Sequence, residues 1–215
     1  MELPTQTYET QVQAWPKKGR HILAHYDESS IVVYQAYRLS IGLFAITHGY
    51  LGGPEFSFAR MSWIKPNFLW MMYRSGWGTK DGQEYILGLR IRRQFFDQIL
   101  EQAVPSSNEP ATFTPPDKRK AVIEASEVRL QWDPDHSPSG ANLERRAIQL
   151  GLRGQMLKAF ATSELIEVLD MRHFVSAERV NAYGPDVGRL RTPLERVYIP
   201  GSAKARERAR IDHDE

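Results

Sequence analysis

The segment 60–78 combines side chains that could bind a ligand, because aromatic rings, cations and polar groups alternate within one short run. It holds three tryptophans and three methionines together with Lys65, Asn67 and Arg74. Burying an unpaired charge costs on the order of several kcal/mol, so such a mixture is tolerated where the polar groups meet partners or a ligand. We interpret the segment as a binding site.

A helix over 66–75 would divide this segment into two faces, since Pro66 suits a first helical position and Gly76 suits the end. The inward face would carry Phe68, Met71, Met72 and Ser75. The other face would form a wall of Trp70, Tyr73, Arg74 and Trp77. The Arg74 guanidinium could stack between the rings while its fork binds a phosphate, or it could pair with Glu84 or Asp81.

Basic residues are concentrated in two regions, although the formal net charge is only +2. Seven basic and three acidic residues lie between Arg60 and Leu100, and four basic residues and one acidic residue lie within 142–160. We expect a helix over 143–152, and its continuation to Gly154 would place Arg145, Gln149 and Arg153 every four residues as one polar stripe. The stripe could follow a phosphodiester backbone or clamp a pyrophosphate, or it could be a solvated basic face.

Strand and helix patterns along the chain predict an α+β fold, a single domain over 1–200 with a mixed central sheet and flanking helices. Strands are predicted over 31–34, 84–91 and 127–132, and helices over 36–48, 66–75, 93–103, 143–152 and 163–169. The four prolines of 105–117 predict a loop. The apolar-poor stretch 201–215 predicts a disordered tail.

Composition excludes several classes of function. The chain of 215 residues contains no cysteine, which excludes disulfides, thiolate nucleophiles and cysteine-based metal sites. We expect a cytoplasmic protein, since neither a signal peptide nor an apolar membrane span is evident. The short pair Gly52-Gly53 is no nucleotide-binding glycine loop, which disfavours kinases, P-loop proteins and Rossmann dehydrogenases.

One acidic cluster could ligate a metal ion. Asp133, Asp135 and His136 offer two carboxylates and an imidazole, with Pro134 between the aspartates. The same residues are common in turns. We favour a turn here and predict no metal site.

Four blocks carry a resemblance to a known family: V-V-Y-Q-A-Y-R, the segment 60–77, V-R-L-Q-W-D-P-D-H and L-E-R-R-A-I-Q-L-G-L-R-G. Together they resemble the uncharacterised family called domain of unknown function 4291, over about residues 31–200. The string Met72-Tyr73-Arg74-Ser75 is its most distinctive part. The resemblance implies a single domain with a shared site and assigns no reaction.

A weaker similarity connects the order of elements with the ADP-ribosyltransferase fold. It rests on a strand with a polar end, a serine segment that leads into a helix, and the strand start at Gln83 and Glu84. The similarity implies NAD as cofactor and Glu84 as the catalytic carboxylate that stabilises an oxocarbenium-like ribose. The sequence departs from the fold's pattern, since Gln35 replaces the usual basic residue and Gln83 and Glu84 are adjacent. The expected cofactor-binding residues are Tyr34, Gln35, Arg38, Ser62, Trp63, Lys65, Trp70, Tyr73, Arg74 and Trp77.

Three classes of function follow. The first is an NAD-dependent ADP-ribosyltransferase whose acceptor is a nucleotide or nucleic acid. The second is a single-stranded nucleic-acid binding module that stacks unpaired bases on its rings. The third is a small-ligand or protein-interaction domain. An enzyme should hold Glu84 and Arg74 in one closed cavity. A protein that binds single-stranded nucleic acid should instead present its aromatic rings along an open groove.

Overall fold

Two larger β-sheets, two small sheets of two strands each and the helices around them form the molecule, a computed structural model that describes residues 3–106, 119–185 and 187–212. Its strands are β1 (Thr5–Thr7), β2 (Gly19–Arg20), β3 (Ile22–Ala24), β4 (Ser30–Tyr37), β5 (Ser62–Ile64), β6 (Tyr85–Arg92), β7 (Val104–Pro105), β8 (Val128–His136), β9 (Asn142–Leu152), β10 (Leu165–Asp170), β11 (Arg191–Pro193) and β12 (Arg196–Tyr198). Its helices are α1 (Tyr8–Ala14), α2 (Leu39–His48), α3 (Phe68–Ser75), α4 (Arg93–Gln102), α5 (Arg119–Ala125), α6 (Gly154–Ala161), α7 (Arg172–Tyr183) and α8 (Ala203–Ala209). A short 3₁₀ helix covers Val187–Arg189.

The first sheet has three antiparallel strands in the order β10-β6-β4. Tyr37 lies opposite Tyr85 at one end, and Ser30 lies opposite Arg92 at the other end. The run of β-branched residues in β4 is buried on both faces, although β4 is an edge strand of this sheet. Helix α2 packs closely on β6, because a Cβ atom on Gly42 would lie 2.1 Å from the Tyr85 ring.

The second sheet is mixed and has the order β2-β9-β8-β7, with β5 also paired to β9. Strands β8 and β9 form an antiparallel pair, while β2 and β7 join it in parallel. A backbone bridge between Tyr34 and Lys65 connects the two sheets. Their junction therefore lies immediately before helix α3.

The predicted fold class is confirmed, since the chain is a single domain of mixed α and β structure. Helix α3 begins after Asn67, whose side chain accepts the Trp70 amide N–H, and it ends at Gly76 in the left-handed conformation. Helix α2 ends at Gly49 in the same manner. The helix predicted over 93–103 and the strand predicted over 84–91 correspond to α4 and β6.

The helix predicted over 143–152 is wrong, because these residues form strand β9. A four-residue spacing places side chains on one face of a helix and also on one face of a strand, so the stripe did not discriminate between them. Buried Ile148, Leu150 and Leu152 repeat every two residues, which is the strand period. Pairing with β8 along most of its length decided the outcome.

The helix predicted over 163–169 is also wrong, because strand β10 occupies most of that range. Its residues pair with β6, from Leu165 opposite Ile91 to Asp170 opposite Leu87. The edge of β6 needs a partner for its backbone groups, and this long-range pairing overrides a short helical pattern.

The turn expected at residues 133–136 is likewise wrong, since all four belong to β8. The chain turns later, where the Ser137 amide donates to the Ala141 carbonyl. Pro134 is accommodated beside a register shift between Pro134 and His136, which fits the rule that proline in a sheet lies at an edge or irregularity.

The tail expected to be disordered over 201–215 contains helix α8, so that expectation is wrong for residues 203–209. Ala205 and Ala209 are buried in the larger core cluster, and the Trp132 indole donates to the Ala209 carbonyl at 2.9 Å. Small side chains let the helix approach α4 closely despite its many charges. Residues 213–215 and most of the loop predicted over 105–117 lie outside the described residues.

Candidate functional site

A cavity of about 790 Å³ lies between the end of β4, strand β5, helix α3 and the loop before β6. The loop 55–61 before β5, the first turn of α2 and one residue of β9 complete its lining. Nine of the residues selected from the sequence line this cavity: Gln35, Arg38, Ser62, Trp63, Lys65, Trp70, Tyr73, Arg74 and Gln149. Side chains from six separate stretches of the chain therefore meet at one place.

A hydrogen-bonded cluster of three side chains forms one wall. The Gln35 amide donates to the Ser62 hydroxyl at 2.7 Å and to the Trp63 carbonyl at 3.1 Å. The Tyr37 hydroxyl donates to the Gln35 side-chain oxygen at 2.8 Å and lies 3.1 Å from the Ser62 hydroxyl. Burial raises the pKa of Tyr37, so its hydroxyl stays protonated. The cluster is a fixed, neutral surface with hydroxyl groups.

Tyr37 was not among the residues selected from the sequence. A signal for it existed, because Gln35 and Tyr37 are two residues apart on a strand and therefore share a face. The helix predicted over 36–48 assigns Tyr37 to a helix and therefore conceals that it shares a strand face with Gln35. The strand continues to Tyr37, and α2 begins only at Leu39.

Lys65 is the buried cation of the site. It is 3% exposed, and among the described residues no hydrogen bond or ion pair reaches its Nζ atom. Burial and, to a smaller extent, the nearby Arg74 lower its pKa to about 8, while Asp133 opposes both effects. Asp133 itself accepts hydrogen bonds from the Gln131 and Gln149 amides at 2.9 and 2.7 Å.

Three exposed arginines line the cavity as well, namely Arg38, Arg60 and Arg74. The carboxylate of Glu55 lies on the same lining and pairs with Arg38 at 3.2 Å. The pairing of Arg74 with Glu84 or Asp81 that the sequence allowed is not observed among the described residues. Four cations and one carboxylate give the cavity a positive potential that attracts anions.

Stacked rings form a second wall. Trp70 and Tyr73 are 5.5 Å apart at 13°, and the His136 ring lies 3.5 Å from Tyr73. Trp70 is buried, whereas Tyr73 is 43% exposed and lies within 5.9 Å of the Lys80 ammonium. The indole Nε1 of Trp70 is buried without a hydrogen-bond partner among the described residues. The half-exposed Trp63 contributes a further ring to the lining.

Two aromatic residues expected at the site lie in the core instead. Tyr34 is fully buried and packs edge-on against Phe68 at 5.4 Å. Trp77 is 1% exposed, and its indole donates to the Pro138 carbonyl at 3.0 Å. The left-handed turn at Gly76 continues through Trp77, whose φ is 55°, and this reverses the chain toward the core.

Two members of the basic stripe also lie away from the cavity. Arg145 is buried, pairs with Asp135 at 2.6 Å and donates to the Pro16 carbonyl. Arg153 donates to the Ser126 carbonyl at 2.8 Å. Both side chains therefore hold parts of the fold together.

Glu84 lies outside the cavity. It is exposed, and its carboxylate accepts the Gly82 amide N–H at 2.8 Å. It lines an adjoining depression with Arg172, and this depression shares Arg38 and Gly82 with the cavity. Glu84 and Arg74 thus line different depressions and do not share one closed cavity.

Within the described ranges, no group of three histidine, aspartate or glutamate side chains is arranged to hold a metal ion. Asp135 is committed to Arg145, and Asp133 is committed to two glutamine amides. Nor does any helix in the described parts of the chain combine the length and apolar character required to cross a bilayer.

Comparison with known families gives a match over residues 21–198 to the family described as Domain of unknown function (DUF4291). The chain belongs to the DUF4291 family. The match includes every residue of the cavity, and it confirms the resemblance carried by the sequence blocks. No curated protein matches the chain. The cavity of this DUF4291 protein is consequently described by its geometry and chemistry alone.

Proposed function

We propose that the cavity binds a nucleotide that carries phosphate and a flat heterocycle, with NAD as the ligand. One observation supports the proposal most: four cations and five aromatic rings line a single cavity of about 790 Å³. Volumes of this order are typical of sites that enclose a small ligand. Within the third class of function, a protein-interaction domain would need no such concave site, whereas a small-ligand domain would.

The phosphate groups would interact with the arginines. Arg60 and Arg74 have no carboxylate partner among the described residues, and both line the cavity. A guanidinium can bind a phosphate through two parallel hydrogen bonds, which combines charge with orientation. Lys65 adds a compact charge deeper in the lining.

The heterocycle would contact the exposed ring faces. Tyr73 and Trp63 are accessible, while Trp70 stands behind Tyr73 and supports it. A base or nicotinamide ring stacked on such a face gains about 1 to 3 kcal/mol. The hydroxyl cluster of Tyr37 and Ser62 would hydrogen-bond polar groups of the ligand.

The reaction within this proposal is ADP-ribosyl transfer from NAD to a nucleotide or nucleic acid in the cytoplasm. Cleavage of the glycosidic bond builds positive charge on the ribose carbon, so a carboxylate must lie beside it. Glu84 is the carboxylate proposed from the sequence, and it would act from the adjoining depression. Glu55 is the carboxylate on the cavity itself. The rate of nicotinamide release from NAD, measured for the variants Glu84→Gln and Glu55→Gln, distinguishes the two carboxylates, because loss of the catalytic one should abolish release.

Titration calorimetry with NAD tests the binding proposal. We expect Arg74→Ala to weaken binding about tenfold or more, because a charge-assisted hydrogen bond contributes about 1.5 to 3 kcal/mol. Arg92→Ala is the matched control, since Arg92 lies at the opposite end of the first sheet. Absence of NAD binding by the unchanged protein, or equal effects of the two variants, would contradict the proposal.

Single-stranded nucleic-acid binding is the second candidate. Tyr73 favours it, because this ring is exposed and the Lys80 ammonium lies 5.9 Å from its centre. Burial of Trp70 and Trp77 leaves no continuous row of rings, which favours a single nucleotide over a long strand. Binding of an oligonucleotide much tighter than that of its mononucleotide would favour this candidate instead.

A further inference from the structure

Lys65 is held rigidly at its backbone. Its amide and carbonyl both bond to Tyr34, with N–O distances of 3.2 and 2.7 Å. Pro66 follows it directly, and Asn67 caps helix α3 with a hydrogen bond of 2.7 Å. The side chain therefore starts from a fixed point between the two sheets and lines the cavity.

The Nζ atom has the environment of a reactive amine. The side chain is buried, and no described residue bonds to its Nζ atom. Asp133 is the carboxylate that raises the pKa of Lys65, and it already accepts hydrogen bonds from the Gln131 and Gln149 amides. Desolvation and a neighbouring cation are the two conditions that convert a lysine into a nucleophile for carbonyl groups. Both are met here, and the lowered pKa of about 8 agrees with them.

We propose that Lys65 forms an imine with the aldehyde of a phosphorylated sugar bound in the cavity, and that open-chain ADP-ribose is one such ligand. The proposal rests on the proposed function for the nucleotide part of that ligand. The aldehyde chemistry depends only on Lys65 and on a phosphate held by the arginines. A structural role alone would not require an unpaired ammonium in a cavity.

The step is balanced without a further reactant. The unprotonated Nζ attacks the aldehyde carbon, and a C–N bond forms while the carbonyl oxygen gains a proton. The hydroxyl group of the resulting carbinolamine, which carries one of the two amine hydrogens, leaves as water with the other, and a C=N bond remains. The Arg74 guanidinium favours the neutral amine before the attack, because a nearby positive charge disfavours protonation of Nζ.

Reductive trapping tests the proposal on the full-length protein. The protein is incubated with ADP-ribose and cyanoborohydride, then digested and mapped by mass spectrometry. We expect Lys65 to be labelled about tenfold or more faster than the exposed Lys158, because each unit of lowered pKa raises the fraction of neutral amine about tenfold. Equal rates at both lysines would overturn the proposal.

Variants and a second aldehyde separate this proposal from the nucleotide proposal. Lys65→Arg keeps the charge and should lose the fast labelling, whereas Lys158→Arg should keep it. Glyceraldehyde 3-phosphate offers the same phosphate and aldehyde without a nucleotide. Fast labelling by this aldehyde in a protein that does not bind NAD would support the imine and refute the nucleotide proposal. NAD binding without preferential labelling by either aldehyde would refute the imine alone.

Discussion

The backbone groups of Tyr34 and Lys65 bond to each other in both directions and thereby join the two sheets. This junction places the end of β4 beside β5, and both strands line the cavity. The same junction turns the Tyr34 ring into the core and keeps Lys65 on the cavity. The fold and the candidate site thus depend on one pair of residues.

The Lys65 ammonium should lose its proton at a lower pH than a solvent-exposed lysine does. Burial and Arg74 lower its pKa to about 8, with Asp133 opposing. The rate of acylation by an amine reagent at Lys65 should therefore rise with pH and level off above about pH 8, measured by peptide mapping. The same profile measured at the exposed Lys204 serves as the control. Parallel profiles for the two lysines would contradict the placement of Lys65.

Glu195 should make the protein less stable as the pH rises. Burial raises the pKa of this carboxyl well above its usual value, although the Phe68 amide N–H opposes the effect. The unfolded chain then releases this proton at a lower pH than the folded protein, so the free energy of unfolding falls as the pH rises above about 4.5. Urea denaturation of Glu195→Gln should show a smaller decrease between pH 5 and pH 8. An identical pH profile for the variant would refute this assignment.

The buried pair of Arg145 and Asp135 should contribute far more to stability than the exposed pair of Arg38 and Glu55. Asp135→Asn leaves a buried guanidinium without its charge partner, which costs about 3 to 5 kcal/mol. Glu55→Gln should cost less than about 1 kcal/mol, because solvent screens that pair. Urea denaturation of both variants at the same pH measures the difference. Equal losses would show that the buried arrangement is not maintained.

Gly151 should be required for the shape of the cavity. A Cβ atom there would lie 2.6 Å from the Met61 sulfur and 3.1 Å from the Trp63 ring, and both residues line the cavity. Gly151→Ala should displace them and weaken NAD binding, with a stability loss of about 1 to 3 kcal/mol. Gly201→Ala is the control, since its Cβ would meet only an ordinary contact of 3.4 Å. Unchanged NAD binding by Gly151→Ala would argue that the ligand binds elsewhere.

Much of the candidate site could be predicted because its signals are local. The segment 60–78 contains its own helix start at Asn67 and its own stop at Gly76, and these act within a few residues. The mixture of rings and cations in that segment indicated a ligand site whatever the surrounding fold. Nine residues selected on such grounds line one cavity.

The amino-acid sequence by itself determined that the segment 68–75 is a helix, α3, and which side chains this helix can present to a ligand. Tertiary structure alone decided that Gln149 reaches the cavity while Arg145 is bound to Asp135, and that Glu84 lines a different depression from Arg74. Arg145 and Gln149 share one face of β9, and the pairing of β9 with β8 places Asp135 beside the first and Asp133 beside the second. A spacing of four residues is compatible with a helix and with a strand, so only the partner strand β8 could separate the two.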